Sequence, residues 1–183
     1  MTSITHSEAR RILADLVALP TVNPMDQPYA GTEPVEREAL RYIADLFDGQ
    51  GVEMTVQSCS PIHESLLLTV PGRCTDGYTL LESHVDTVPA DDWPDTAFTP
   101  RIRDNRLFGR GACDDKGSLV SMILAVREIL EAGKLPPFPV ALLAAGDEEH
   151  AQTGIRHFAR LNMPLARAVI GEPTGLVPVL QHK

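Results

Sequence analysis

Acidic side chains and one histidine follow four apolar segments of the sequence. The four clusters are His84 with Asp86, Asp114 with Asp115, Asp147-Glu148-Glu149, and Glu172. If the apolar segments are parallel strands, their carboxyl ends lie at one edge of a sheet, which is where open α/β sheets place their ligand crevices. The spacing therefore predicts that the four clusters meet in one site.

Several carboxylates at one edge of a sheet repel each other, and burying an unpaired charge costs several kcal/mol. A divalent cation removes that repulsion. One histidine and several carboxylates suit zinc first, with manganese or cobalt behind it. Glu148 and Glu149 are neighbours that point in different directions, so one can bind the metal while the other takes a proton from a metal-activated water. This is the chemistry of a metallohydrolase acting on an amide or ester.

Each cluster also has an ordinary structural explanation. His84 and Asp86 fit a solvated turn, and the run of three acids at 147–149 fits the start of a helix, where the helix dipole favours negative charge. Asp114 and Asp115 fit the amino-terminal cap of the helix that follows them. Glu172 fits an ordinary turn residue before Pro173. Four histidines have no patterned partner and are expected on the surface or in packing: His63, His150, His157 and His182.

Composition excludes several classes of protein. The chain has 183 residues, 43% of them hydrophobic, a net charge of −9 and a pI near 5.0, which fits one domain without a basic nucleic-acid surface. No apolar run is long enough to span a membrane, and no signal peptide is recognisable. The three cysteines, Cys59, Cys74 and Cys113, are far apart and odd in number, which argues against a disulfide framework. We therefore expect a cytoplasmic protein with no nucleic-acid or membrane partner.

Strands alternate with helices along the chain. Thr5 and Glu8 form a capping box for a first helix, and further helices are predicted after Val35 and Gly117. A last helix is predicted at Thr153–Arg160. Strands are predicted at Val52–Val56, Ser65–Val70, Thr79–Leu81, Val140–Ala145 and Ala166–Ile170. Residues 89–106 are predicted to form a long loop in which Trp93 either shapes a cleft or anchors the loop. The alternation indicates an α/β fold with a mainly parallel central sheet flanked by helices.

Five segments in order resemble the co-catalytic zinc hydrolases that include acetylornithine deacetylase, succinyl-diaminopimelate desuccinylase, carboxypeptidase G and the aminoacylases. The segments are Leu19–Pro24 (LPTVNP), Ser83–Pro89 (SHVDTVP), Gly109–Gly117 (GRGACDDKG), Gly146–Glu149 (GDEE) and Gly171–Thr174 (GEPT). They cover nearly the whole chain. The resemblance implies the catalytic domain of a zinc peptidase.

The resemblance also implies a role for each residue of the clusters. Asp86 would hold the imidazole of His84, and Glu148 would be the general base that activates water and passes its proton to the leaving amine. The peptide bond between Asp114 and Asp115 would be cis. The metal ligands of the two zinc ions would be His84 and Glu172 for the first, Glu149 for the second, and Asp114 bridging both.

The chain departs from the family pattern after Lys183, because family members continue into a lid domain that forms their homodimer and then return to the catalytic domain. Those parts supply the last histidine ligand of the second ion and a histidine that stabilises the oxyanion. We therefore expect residues 1–183 to be a single, incomplete metallohydrolase catalytic domain with the lid and dimerisation domain absent. One ion should bind tightly, the second zinc site should be incomplete, and exposed apolar surface should favour association.

Three functions remain open from the sequence. The first is a metal-dependent hydrolase that cleaves an amide bond of an N-acyl amino acid or small peptide. The second is a truncated catalytic-domain fragment that binds metal but is inactive without the missing carboxyl-terminal part. The third is an aminopeptidase-like domain in which the lid is dispensable, although the segments Gly109–Gly111 and Gly171–Thr174 favour the deacylase branch.

Overall fold

The computed structural model describes residues 6–91, 93 and 95–180. Thr5 of the expected capping box, and His182, lie outside the described residues. In chain order the elements are α1 (His6–Ala18), α2 (Arg37–Asp45), β1 (Glu53–Ser58), β2 (Glu64–Val70), β3 (Tyr78–His84), β4 (Arg101–Arg103), β5 (Arg106–Phe108), α3 (Lys116–Glu131), β6 (Val140–Ala145), α4 (Thr153–Arg160) and β7 (Leu165–Ile170).

The central sheet has five strands in the order β1-β2-β6-β3-β7. Strands β6, β3 and β7 are paired in parallel, whereas β2 is antiparallel to both β1 and β6. The sheet is therefore mixed, but four strands run in one direction and only β2 opposes them. This confirms the α/β class with helices flanking a central sheet, and the described residues contain no lid domain.

Strand β6 lies at the centre of the sheet, which suits its sequence because every residue in it is apolar. All six residues are buried there. Alternate side chains of a strand point to opposite faces. Leu142 and Ala144 accordingly join the larger core formed with α1, α2 and α3, while Leu143 and Ala145 join the smaller core under α4. A strand covered on both faces holds the carboxyl ends of its neighbours in a fixed position.

Some boundaries differ from those expected from the sequence. Strand β3 extends to His84, so this histidine is the last residue of the strand and not part of the loop after it. The segment expected to be one long loop contains the β4–β5 hairpin, whose turn residues Asp104 and Asn105 have φ of 49° and 63°. Positive φ at both central residues is the pattern of a type I′ hairpin turn, which Asp and Asn tolerate.

The edge strand β7 carries exposed apolar side chains. Val169 and Ile170 are 53% and 52% exposed, and the segment after the strand exposes Val177 and Leu180 by 62% and 100%. The expected apolar surface is therefore present at this edge of the sheet. Among the described residues, no helix is long and apolar enough to cross a membrane.

Candidate metal centre

The register of the parallel strands brings three of the four clusters together. His84 at the end of β3 pairs with Ala145 at the end of β6, and Glu82 of β3 pairs with Ile170 at the end of β7. The residues that follow these strand ends are therefore neighbours, and they include Asp86, Glu148 and Glu172. Asp114 reaches the same place from the turn before α3, where the peptide bond between Asp114 and Asp115 is cis, as the resemblance implied.

Two groups of possible metal ligands share His84. Donor atoms of His84, Glu148 and Glu172 lie within 4.8 Å of one another, and so do those of His84, Asp114 and Glu149. The Nε2 atom of His84 lies 3.0 Å from Oδ1 of Asp114 and 4.0 Å from Oε2 of Glu148. The sequence-predicted ligands thus meet in one site, although Glu148, predicted as the base, lies among them.

Asp86 is fully buried and connects the end of β3 to the turn that carries Glu148 and Glu149. Its Oδ1 accepts a hydrogen bond from the backbone N–H of Glu148 at 3.0 Å, and its Oδ2 accepts from that of Glu149 at 3.2 Å. The Nδ1 atom of His84 lies 2.9 Å from the backbone oxygen of Asp86 and 3.6 Å from its carboxylate. Asp86 therefore orients the imidazole mainly through its backbone and holds the acidic turn through its carboxylate.

The electrostatics of His84 show how negative the site is. Burial lowers the pKa of this histidine, but the carboxylates of Asp86, Glu148 and Asp114 outweigh burial and raise the pKa to about 10. The imidazole is therefore protonated at neutral pH when no metal ion neutralises the carboxylates. A proton here occupies a position that suits a cation.

The pKa values of three acidic groups around the site are raised as well. Burial, reinforced by neighbouring carboxylates, raises the pKa of Glu149 and Glu172. It also raises the pKa of Glu82, the β3 residue two before His84, to about 7. Burial and neighbouring carboxylates make these groups resist ionisation. A divalent cation that enters the site would stabilise their ionised forms. One nitrogen and several oxygen donors at one point therefore fit a metal ion such as zinc.

Lys116 is a buried residue whose contacts the sequence did not reveal. Its ammonium donates hydrogen bonds to the backbone oxygens of Leu16 at 2.9 Å and Leu19 at 2.8 Å. These oxygens lie at and just after the carboxyl end of α1, where the helix dipole favours a positive charge. The lysine thereby ties the first helix to the start of α3, directly after the Asp114–Asp115 turn.

A small cavity of about 150 Å³ opens beside the ligand groups and is lined by Asp114, Glu149, Trp93 and Arg110 among others. The guanidinium of Arg110 lies over the Trp93 ring, 4.9 Å from its centroid, and donates to the backbone oxygen of Pro89 at 3.2 Å. Of the two explanations for Trp93, the cleft-lining one agrees with this position.

One histidine that the sequence gave no reason to select is part of the surroundings of this site. His63 is 5% exposed, and its Nδ1 lies 2.7 Å from Oε1 of the fully buried Glu36. The two residues are 27 positions apart, and no periodic pattern links them, so only the folded structure reveals the pair. In contrast, the imidazole of His150 lies 3.3 Å from the exposed carboxylate of Asp26.

Comparison with known proteins agrees with this fold. The model of Peptidase family M20/M25/M40 matches residues 80–181. An acetylornithine deacetylase of Photorhabdus laumondii subsp. laumondii is 34% identical over 179 residues, which cover 94% of this chain and 44% of the relative.

Two solved structures share the fold. Human carnosine dipeptidase 1 superposes with a TM-score of 0.70 at 23% identity, over 90% of this chain and 38% of that one. The M20 family metallo-carboxypeptidase Sso-CP2 from Sulfolobus solfataricus superposes with a TM-score of 0.72 at 20% identity, over 89% of this chain and 37% of that one. The chain thus spans less than half the length of these relatives. With more than half of its residues matched by the family model, it belongs to Peptidase family M20/M25/M40.

Proposed function

We propose that these residues form the hydrolytic centre of a metal-dependent amidohydrolase that cleaves an amide bond of an N-acyl amino acid or small peptide. The observation that carries this proposal is the pair of ligand groups that share His84, with Glu148 and Glu149 adjacent in one turn. The 34% identity to a protein named acetylornithine deacetylase supports an N-acyl amino acid as the first substrate to test.

Zinc is the first candidate for the metal, with cobalt or manganese as alternatives. His84, Asp114, Glu149 and Glu172 would hold the metal. A divalent ion bound there supplies a Lewis acid that polarises the amide carbonyl and lowers the pKa of water. The cation-seeking charge of the site, and the fit of one imidazole nitrogen with carboxylate oxygens, support this assignment.

Glu148 has the position expected of a general base. Its side chain is 31% exposed, so it is accessible to water and substrate at the mouth of the site. Its backbone N–H is fixed by Asp86, while its carboxylate accepts a long hydrogen bond, 3.4 Å, from Nε2 of Gln152. We propose that Glu148 takes a proton from the attacking water and then gives it to the amine that leaves.

A second candidate function is a metal-binding part of a larger enzyme that binds a cation but does not turn over substrate alone. It is favoured by the ligand groups, which contain one histidine between them among the described residues. The exposed apolar edge at β7 supports a further proposal, that this face associates with more protein. Three free cysteines, none in a disulfide, are consistent with the proposed cytoplasmic location.

The experiment that separates these functions measures hydrolysis and metal binding on the same samples. The chain and its Glu148→Ala variant are incubated with acetylornithine and other N-acetyl amino acids in the presence of zinc or cobalt. Glu128→Ala, at an exposed position of α3, is the matched control. Turnover that Glu148→Ala abolishes and Glu128→Ala preserves supports the hydrolase. Metal binding without turnover supports the second function, and absence of metal binding contradicts both.

A further inference from the structure

Five polar residues form a buried chain beneath the turn of Glu148 and Glu149, and none of them is a proposed metal ligand. Asp and Glu are almost never fully buried unless they are paired, so three buried carboxylates in one place require an explanation beyond packing. The five residues and their exposed fractions are Asn23 (0%), Glu36 (0%), His63 (5%), Asp86 (0%) and Asp147 (2%).

His63 lies between two of these carboxylates. Its Nδ1 is 2.7 Å from Oε1 of Glu36, and its Nε2 is 3.6 Å from Oδ1 of Asp147. The other oxygen of Glu36 accepts a hydrogen bond from the backbone N–H of Glu64 at 2.9 Å, which fixes the carboxylate from the opposite side. Burial lowers the pKa of His63, but the carboxylates of Glu36 and Asp147 raise it by more than burial lowers it, so the net shift is upward. The imidazole of His63 therefore lies between two buried carboxyl groups that favour its protonated form.

Asp147 gives the acidic turn its shape. Its φ is +60°, a left-handed conformation that a non-glycine residue adopts only when its surroundings hold it there. Its Oδ1 accepts a hydrogen bond from Nδ2 of Asn23 at 3.0 Å, and its Oδ2 accepts from the backbone N–H and hydroxyl of Thr153 at 3.2 and 2.7 Å.

Gly146, directly before Asp147, lets Glu36 approach the turn. A Cβ at this position would lie 2.8 Å from Cδ of Glu36 and 2.3 Å from the backbone oxygen of Glu64. The close approach shows that the carboxylate of Glu36 packs directly against the backbone of the turn. The pair of Glu36 and His63 therefore contacts the turn at Gly146 and again at Asp147.

We propose that Glu36 and His63 are positioning residues that hold the Gly146–Asp147 turn and thereby fix Glu148 and Glu149. The proposal rests on the proposed function for the roles of those two glutamates. Among the described residues, neither member of the pair belongs to the two groups of possible metal ligands. It acts through the carboxylate of Asp147, whose orientation sets the direction in which the next two side chains leave the backbone.

The test compares His63→Asn with His63→Gln and Glu36→Gln. Asparagine keeps an amide near the Nδ1 position facing Glu36 but is too short to reach Asp147, whereas glutamine reaches as far as Nε2. His157→Asn, on α4, is the matched control. Two readouts are used: the backbone amide signals of Glu148 and Glu149 in the metal-free chain by NMR, and cobalt affinity with its visible absorption spectrum.

We expect His63→Asn to shift or broaden both amide signals and to weaken cobalt binding by about 10–100-fold, the usual effect of losing a residue that orients metal ligands. His63→Gln should recover part of the affinity, and His157→Asn should match the wild type. A folded His63→Asn variant whose Glu148 and Glu149 signals and cobalt spectrum are unchanged would overturn the inference, even if its melting temperature fell. If the amide signals move but the wild type binds no cobalt, the proposed function fails while the positioning role stands.

Discussion

Replacing Asp86 with asparagine tests whether one buried carboxylate holds the acidic turn in place. In the wild type this carboxylate accepts hydrogen bonds from Nδ2 of Asn23 at 2.8 Å and from the backbone N–H groups of Glu148 and Glu149 at 3.0 and 3.2 Å. Asparagine keeps one oxygen acceptor and places an NH2 group at the other position. That group faces a donor whichever way the amide is turned, so at least one hydrogen bond is lost.

The structure sets the size of the effect. A hydrogen bond to a charged group contributes about 1.5–3 kcal/mol, and an unpaired buried donor costs about 1–3 kcal/mol. Because Asp86 is 0% exposed, bulk water does not replace the lost acceptor. We expect Asp86→Asn to lower the free energy of unfolding of the metal-free chain by roughly 2–4 kcal/mol. Asp48→Asn, at an exposed position after α2, should stay within about 0.5 kcal/mol of the wild type.

The pH dependence gives the prediction a sign. Burial raises the pKa of Asp86, but the neighbouring imidazole of His84 and hydrogen bonds from Asn23 and the Glu148 backbone outweigh burial, so the pKa is below the ordinary value of 3.8. The carboxylate therefore stabilises the fold above the unfolded pKa, and that stability is lost as the pH falls through the folded pKa.

Urea unfolding followed by circular dichroism at several pH values measures this difference. The gap between wild type and Asp86→Asn should be constant near neutral pH and should narrow in acid, below the ordinary pKa of 3.8. Equal unfolding free energies at pH 7 would refute the claim that the carboxylate of Asp86 holds the turn.

Three further predictions concern the turn and the metal. Gly146→Ala should cost about 1–3 kcal/mol of stability, since its Cβ would overlap the backbone oxygen of Glu64 at 2.3 Å, and a melting curve unchanged from the wild type would contradict that overlap. Zinc at 100 times its dissociation constant for the wild type should raise the unfolding free energy of the wild type by about 2.7 kcal/mol, and a chelator should reverse the gain. The prediction fails if Glu172→Ala gains as much at the same zinc concentration. Calorimetric titration with zinc should give one tight binding event, and two equal tight events would show that the ligand groups fill independently.

The sequence predicted the position of the site better than its internal contacts. Three of the four apolar segments were enough to place His84, Glu148 and Glu172 at one edge of a sheet, because parallel strands end on the same side. The sequence analysis did not predict that β2 runs opposite to the other strands. This direction arises because a short segment joins β1 to β2 as an antiparallel hairpin. The β4–β5 hairpin was overlooked even though Asp104-Asn105 is a turn signal, because each of its strands has three residues.

The contacts of Asn23, Glu36 and His63 could not be predicted for a different reason. Each residue lies in a loop or at an element boundary, where no periodic pattern indicates which way a side chain points. Asn23 and Asp147 are 124 positions apart in sequence, and their side chains meet only because the loop after α1 pairs with Thr87 beside the end of β3. Such a contact depends on the packing of three elements, which a single sequence does not encode locally.

His84 makes the two groups of possible metal ligands unequal. Its Nδ1 faces the backbone oxygen of Asp86 at 2.9 Å, so Nε2 is the nitrogen that faces Asp114 and Glu148. One nitrogen lone pair binds one ion, and both ligand groups require that same nitrogen. When one group is filled, the other keeps only its carboxylates, which attract a second cation but bind it without the nitrogen that zinc prefers. The geometry of a single imidazole therefore makes the two groups unequal, whichever of them the first ion enters.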